Sequence, residues 1–599
     1  MDRTRETGPP IAAGEFVKRA GSVLLLGGRP FRFNGNNVYY NQADIVYGRV
    51  AGVEESLDKM AALGMNVVRA NAHNDNRPAS DPAAIQTAPG VYVEASLVAL
   101  DRSIALAKAR NIRLILKLTN NWDAYGGIRR YVEWRLGRTP QQNEWGMFYT
   151  DGQIKAWYKD YARMIVERRN TVTGVTYRDE PAILAWELGN ELRNPGGAAA
   201  MVAWHAEMAA FIKSADPNHL VADGGEGFDD DPSLYAGLSS RYAVAGSEGC
   251  SYHRLAAIPE IDMLSYHLYP KGWQLNDTTD AATYIRRHEE IARENGKVAY
   301  AGEFGKRSGD VSPAGCSRAP GRAFDPQRAT VYDAWLKTAV AAEASSGVMV
   351  WQLINDGKDD CEGFQVYCPE DAATCGLLTR YSEDMTTLAP AAVSAANYRA
   401  GVVAAGSIVS LFIPKALSDT EALRVVVADG RGVSRAATAF LLSASQINFQ
   451  IPADTPDGGA VIRVMRGEEV AASAAVSIAR VAPGVFSADA SGGGFAAGQA
   501  VIVDAAGGRR TVALTDPIEI PAGGSAAVVI YGTGIRGGEV AASIGGKAAA
   551  VEFAGAQAEF AGLDQVNLAV PGGVSGELEV SLRAGGAEAN VVKVMVRRL

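Results

Sequence analysis

An α/β fold is expected, a (β/α)8 barrel followed by all-β, Ig-like sandwich domains. Three observations point there. Eight short apolar runs alternate with helical stretches between residues 31 and 353, the pattern of parallel strands joined by crossover helices. Each run ends in polar or aromatic residues. Beyond about residue 400 the chain turns to Ala, Gly and Val, and all nine Trp lie earlier, between Trp122 and Trp351. The expected domains are a barrel over residues 15–400 and two β-sandwich modules over 401–482 and 483–599.

Taken in order, the first strand spans Phe31 to Tyr40, with Asn34, Asn36 and Asn37 toward its end. A helix from Glu54 to Leu63 is stopped by Gly64, at the position where a left-handed residue ends helices. The second strand, Met65 to Asn71, carries Arg69 near its tip. A helix over Val98–Arg110 leads to the third strand, Ile112–Leu118, which ends in Thr119-Asn120-Asn121-Trp122. After a long excursion and a helix from Ile154 to Arg168 comes the fourth, Ile183 to Leu188, running into Gly189-Asn190-Glu191. The fifth, Leu220–Gly225, follows the helix around Trp204 to Ile212. The sixth, Asp262–Pro270, contains His267 and Tyr269. Helix Ala281–Asn295 precedes the seventh, Val298–Gly305, with Glu303 between glycines, and helix Arg328–Ser345 precedes the eighth, Gly347–Leu353, with Trp351 near its end. A last helix, Ala389–Ala400, would close the barrel.

In the tail, Gln446-Ile447-Asn448-Phe449-Gln450-Ile451-Pro452 is echoed 119 residues further on, from 446 to 565, as Gln565-Val566-Asn567-Leu568-Ala569-Val570-Pro571. Such an echo is consistent with a duplicated module. Runs such as Leu423-Arg424-Val425-Val426-Val427 suit small antiparallel sandwiches. No catalytic set stands out there.

Composition narrows the functional classes. The 58 Lys and Arg against 67 Asp and Glu give a net charge of −9, which argues against a nucleic-acid partner, since phosphate binding wants a basic face. No apolar run approaches a membrane span. Met1–Glu15 is polar and lacks the apolar core of a secretory signal. The five cysteines, Cys250, Cys316, Cys361, Cys368 and Cys375, include no C-x-x-C pair, which argues against zinc. Three fall at seven-residue steps in one loop, where disulfides would stiffen a long connection. Reduced thiols in a cytoplasmic protein are the alternative.

Two buried strands that each deliver a carboxylate to the same barrel rim supply what retaining sugar hydrolysis needs, an acid/base and a nucleophile roughly 5 Å apart. A single Glu after an apolar run could instead be the first-turn charge of a helix. Strands four and seven face one another across the barrel, so Glu191 and Glu303 are the candidate catalytic residues, Glu303 ionised and Glu191 protonated with its pKa raised by burial and by Glu303. Arg69 and Tyr269 are placed to hold Glu303. Asn190 is placed to hold a sugar 2-hydroxyl, and His267 reads as either a site residue or a packed, hydrogen-bonded one. Trp351 offers a stacking floor. His73 reads as an exposed loop residue. Asp229-Asp230-Asp231 and Asp356-Gly357-Lys358-Asp359-Asp360 are acidic, but neither matches an EF-hand loop, and no metal or other cofactor is called for.

The run Asn120-Asn121-Trp122, then Gly126-Gly127, Tyr131-Val132-Glu133-Trp134, Phe148-Tyr149-Thr150, the segment Arg169 to Pro181 and Ala185-Trp186-Glu187-Leu188-Gly189-Asn190-Glu191 resembles the endo-β-1,4-mannanases of glycoside hydrolase family five. The likeness covers about residues 15 to 400. It implies a TIM barrel and metal-free retaining hydrolysis of β-mannan, with Glu191 as proton donor and Glu303 as nucleophile. Arg69, Asn190, His267, Tyr269 and Trp351 fall on supporting positions, and Asn121, Trp122, Arg193 and Trp273 join them as sugar-binding candidates. Leu192 stands where the family commonly has Pro, and Asn71 where it often has a stacking Trp. Competing readings are a β-1,4-glucanase, a mannan transglycosylase, or a non-catalytic surface protein that binds carbohydrate. The polymeric substrate and the cysteines imply a secreted, periplasmic or cell-surface protein. The C-terminal modules resemble β-sandwiches appended to secreted bacterial proteins, and are candidates for binding glycan or a cell surface.

Overall fold

The computed structural model describes residues 11–20, 22–26, 29–76, 81–307, 326–341, 345–354, 363–386, 390–413, 417 and 420–599. The chain forms two compact units, the second taking up residues 388–599.

In the first unit eight parallel strands close a barrel. They are β1 (Phe33–Asn37), β2 (Val67–Asn71), β3 (Arg113–Lys117), β4 (Ile183–Glu187), β5 (Leu220–Ala222), β6 (Met263–Leu268), β7 (Val298–Phe304) and β8 (Ser345–Val350). β8 returns to pair with β1, Gly347 opposite Phe33 and Val350 opposite Asn36. Outside lie α1 (Val50–Ala62), α2 (Glu94–Lys108), α3 (Gly152–Glu167), α4 (Ala198–Ala215), α5 (Thr279–Glu294), α6 (Pro326–Ala341) and α7 (Ala372–Thr386). Local chemistry sets several of their ends. Gly64, at φ +73°, stops α1 as its missing Cβ allows, and the Asp151 carboxylate caps α3 by accepting from the Gln153 and Ile154 amides at 2.9 and 3.0 Å.

The apolar residues divide into two layers. Phe33, Val67, Ile115, Ala185, Tyr300 and Met349 fill the barrel interior, while Val68, Leu114, Leu116, Trp186, Leu264 and Ala301 face the helices. This is the period-two alternation of strands buried on both faces. A hairpin of Lys18–Ala20 and Val23–Leu26 adds Val17 and Leu24 to the inner layer. Its Lys18 Nζ and Arg19 Nη1 donate to the carbonyls of Asn218 and Gly296, just ahead of β5 and β7. The hairpin therefore plugs the end of the barrel opposite the rim where the strands finish.

Two expectations are corrected. Ser345 begins β8 rather than ending a helix. The closing helix is α7, whose Leu378 carbonyl and Ser382 hydroxyl accept from the Asn34 side chain of β1. Within Ala389–Ala400, Ala391–Ser394 is a strand paired with Ile408–Phe412. Alanine propensity favours a helix there, but buried Ala392 joins a β core and sheet pairing wins. Ala389 itself lies outside the described residues.

In the second unit, an eight-stranded sheet encloses Val409, Leu411, Val425, Val427, Ile447, Phe449, Ile462 and Val476. Two six-stranded sheets enclose Ile502, Val528, Ile530, Leu568, Val580 and Val594. The sequence echo has a structural counterpart. Gln446–Gln450 and Asp564–Ala569 are both strands, and in each the Gln side chain donates to the Asn two residues on, Gln446 to Asn448 at 3.0 Å and Gln565 to Asn567 at 2.9 Å. Cys368 and Cys375 form a disulfide and Cys250 is a buried free thiol. Cys316, Cys361 and the 356–360 run lie outside the described residues. No described helix is long and apolar enough to cross a membrane.

Gly347 packs so tightly on β1 that a Cβ there would fall within the Phe33 ring. Gly347→Ala is expected to lower stability by about 1–3 kcal/mol through overpacking, read as a reduced denaturant midpoint at unchanged m-value.

Candidate active site

The rim where the strands end is built around Arg69 on β2. Its side chain is fully buried, and its donors are spent on four groups from three other parts of the rim. Nε donates to Glu187 Oε2 on β4 at 2.8 Å, and Nη2 reaches Glu187 Oε1 as well. Nη2 also meets Asn190 Oδ1 at 2.7 Å. Nη1 meets Glu303 Oε1 on β7 at 2.7 Å and Asn37 Oδ1 on β1 at 3.1 Å. A planar cation with five donors suits such a fork of acceptors.

Glu303 receives a second hydrogen bond, from the Tyr269 hydroxyl to Oε2 at 2.7 Å, so both of its oxygens are held. Tyr269 is backed by Trp273 and Phe364, ring centroids at 6.2 and 5.2 Å. Trp273 is only 5% exposed, which makes it a support beneath Tyr269 rather than an open sugar surface.

Glu191 stands beyond β4 in a segment pinned on both sides. The Asn190 amide donates to the Thr119 carbonyl and the Glu191 amide to that of Gly224, both at 2.9 Å. Glu191 itself sits at φ +52°, a left-handed conformation that costs a non-glycine residue roughly 1–2 kcal/mol. Leu192, in the place of the commoner proline, packs against Gly189, where a Cβ would come within 2.8 Å of its side chain. The Glu191 carboxylate accepts from Trp122 Nε1 through Oε2 at 2.6 Å and is joined to His267 Nδ1 through Oε1 at 2.6 Å. His267 Nδ1 is also 3.6 Å from Glu303 Oε2. The ligating atoms of Glu191, His267 and Glu303 all lie within 4.8 Å of one another.

Glu191, expected to be held protonated, is instead pulled toward the carboxylate form. Burial pushes its carboxyl up, but the hydrogen bond and charge of His267, the Trp122 bond and the Arg193 charge outweigh it and hold the group at about 2. His267 moves the other way. Burial lowers it, while the Glu303 charge and the bond to Glu191 raise it above its ordinary value. The proton shared by this pair therefore rests on the imidazole.

Other candidate residues are placed as follows. Asn121 Oδ1 accepts from the Arg193 amide at 3.2 Å, fixing the loop after Glu191. Arg193 is tied to Glu226 and Glu248 at 2.7 and 2.9 Å and lies over the Trp122 and Phe228 rings, 5.1 Å from each. Trp122 is 45% exposed, an open wall beside Glu191. Trp351 stacks on Tyr39, centroids 5.3 Å apart and planes within 7°. Asn190 also donates to Asn120 at 3.0 Å. Asn36 exchanges hydrogen bonds with the Leu353 backbone and serves the fold. His73, expected in the open, is buried, with burial and then the Lys117 charge lowering it to about 3. Asp229 is bonded to His253 and Tyr235, and Asp231 caps a short helix.

Sequence reasoning missed Glu187, Asn37, Tyr39 and Lys117. Glu187 and Lys117 did leave a signal, each a charge inside an otherwise apolar strand. Asn37 and Tyr39 left none beyond their place after β1's apolar residues.

Comparison with known proteins agrees with this architecture. The family model described as GH family 5 beta-mannosidase-like matches residues 14–353. A putative mannan endo-1,4-beta-mannosidase 5 of Oryza sativa subsp. japonica is 34% identical over 61% of this chain and 75% of its own length. Mannan endo-1,4-beta-mannosidase 5 of Solanum lycopersicum is 34% identical over 62% of this chain and 90% of its own. Among solved structures, the endo-beta-1,4-mannanase from Thermotoga petrophila superposes with TM-score 0.52 at 27% identity, covering 75% of this chain and 98% of that one. The endo-1,4-beta-mannanase from Rhizomucor miehei gives 0.53 at 27% identity, over 62% and 99%.

Two measurements test the network. Glu187→Ala removes one of the two carboxylates paired with a buried guanidinium and leaves Nε without its acceptor, which should cost about 1–3 kcal/mol of stability in denaturant unfolding. The Glu191–His267 pair has a pH signature of its own. The lowered carboxyl contributes stability above its ordinary 4.5 that is lost as pH falls toward about 2, and the raised imidazole contributes below its ordinary 6.5 and fades as pH rises past its folded value. The difference in melting temperature between wild type and His267→Ala should therefore be largest between about pH 4.5 and 6.5 and shrink on either side.

Proposed function

Because the chain belongs to the glycoside hydrolase family 5 β-mannosidase-like proteins, we propose that this glycoside hydrolase is a retaining endo-β-1,4-mannanase that cleaves internal bonds of β-mannan by double displacement. The observation that carries the mechanism is the spacing of Glu191 and Glu303, whose nearest oxygens lie within 4.8 Å. That spacing suits direct attack, since inverting pairs stand roughly 6.5–9.5 Å apart to admit a water.

In the first displacement a Glu303 oxygen bonds to the anomeric carbon as the bond to the leaving oxygen breaks. Glu191 delivers a proton to that oxygen. The proton begins on His267 Nδ1, 2.6 Å from Glu191 Oε1, so transfer within the pair arms the acid. In the second displacement Glu191 takes a proton from water, the water oxygen bonds to the anomeric carbon, and Glu303 leaves as carboxylate. Arg69 and Tyr269 hold Glu303 while its charge disappears and returns. Asn190, fixed by Arg69 and Asn120, is suited to the 2-hydroxyl, a contact that strengthens as the sugar gains oxocarbenium character. Trp351, braced by Tyr39, gives the pyranose a floor. Mannan as substrate is supported by the endo-mannanase names of relatives 34% identical. Secretion is supported by the Cys368–Cys375 disulfide, a bond of oxidising compartments.

Reducing-sugar release from mannan and from carboxymethylcellulose tests the substrate, and cleavage of cellulose alone would overturn it. Glu303→Ala should abolish turnover yet still bind mannan oligosaccharides. Glu191→Gln should slow cleavage of natural mannan about 10²–10⁴-fold and spare aryl mannosides with good leaving groups. Equal losses on both substrates would remove the acid role.

A further inference from the structure

Two polar side chains share one corner of the barrel mouth. Lys117 ends β3 and is 3% exposed. It pairs in register with Asn71 on β2 and Glu187 on β4, so all three point to the same inner face. Among the described residues its ammonium makes no hydrogen bond or ion pair, and it lies 5.9 Å from the centre of the Tyr39 ring. Asn71, 6% exposed, likewise makes no side-chain hydrogen bond among the described residues. Burying an unpaired cation and an unpaired amide is costly, and such groups in a native protein ask for an explanation. A ligand that supplies the missing acceptors is one.

The corner also has a direction. Glu191 and the Trp122 wall mark the side on which the leaving group departs. Lys117 lies instead over the Tyr39 ring, which carries Trp351, and Asn71 is its register partner. The charges facing Lys117 are those of Arg69 on β2, Glu187 and Glu191 at β4 and Glu303 on β7. Three carboxylates in that set would repel an anionic substituent, which leaves neutral hydroxyls as the acceptors.

We propose that Lys117 and Asn71 form a sugar subsite on the glycone side of the cleaved residue, the Lys117 ammonium and the Asn71 amide donating to hydroxyls of the next sugar. The proposal rests on the β-mannanase reading above. It also makes recognition there hydrogen-bonded, since Asn71 and Lys117 offer donors and no ring.

Burial, then the charge of Arg69, brings Lys117 down to about 7, so the ammonium is lost as pH rises through that value. Of its neighbours, His73 stays neutral in this range. Asp75 is raised by burial to about 7, but it remains in a Lys117 variant and cancels in the comparison.

The test compares an aryl β-mannoside, whose one sugar ends at the cleaved bond, with an aryl β-mannobioside, which adds the next. Lys117→Met should raise KM for the mannobioside about 10- to 100-fold, the loss of a charged donor, well beyond any change it causes for the mannoside. The wild-type KM for the mannobioside should climb above about pH 7, and that climb should vanish in Lys117→Met. Asn71→Ala should shift the same KM in the same direction. An unchanged KM, or equal losses on both substrates, overturns the subsite while the mannanase reading stands. Wild type turning over neither substrate nor mannan overturns both.

Discussion

A single guanidinium organises the catalytic end of this barrel. Arg69 ties the ends of β1, β4 and β7 to β2 through Asn37, Glu187, Asn190 and Glu303. Taking it and two carboxylates out of water costs several kcal/mol per ion, and the attraction repays this only with every donor and acceptor engaged. That requirement is met, so the network contributes position more than net stability. Glu303 can lie in few other places without stranding a buried charge.

The second constraint is backbone shape at the rim. A regular strand turns consecutive side chains to opposite faces, so an uninterrupted β4 could not bring both Asn190 to Arg69 and Glu191 to His267. The left-handed Glu191 breaks the alternation, held by the amide bonds to Thr119 and Gly224. On β6, a register shift between Tyr266 and His267 does the same work and sets His267 opposite Glu303. Local irregularity is thus how two carboxylates and one imidazole come to share a few ångströms, at the modest strain such sites store.

Much of this was legible in the residues. The eight apolar runs, the glycine stop at Gly64 and the polar rim all mapped onto the barrel, because strand periodicity and helix termination are local matters. Strand order allowed Arg69 and Tyr269 to reach Glu303, and both do. What escaped was decided by tertiary context. Whether Ala389–Ala400 is helix or strand turned on a sheet core assembled from distant segments. His73 reads as loop by its neighbours, yet the β2–β3 corner covers it. The proton of Glu191 depends on a 2.6 Å contact with a residue 76 positions away, which no spacing rule supplies. Glu187 was overlooked because the more conspicuous Glu191 follows it on the same run.

The hairpin that plugs the barrel floor has a consequence for synthesis. Its Lys18 and Arg19 bond to groups 200 to 277 residues later, and β1 waits for β8 at residues 345–350 before the sheet can close. Contacts of such sequence separation form slowly. On the ribosome this hairpin must remain unsatisfied until most of the barrel has emerged, its apolar Val17 and Leu24 exposed to chaperones meanwhile.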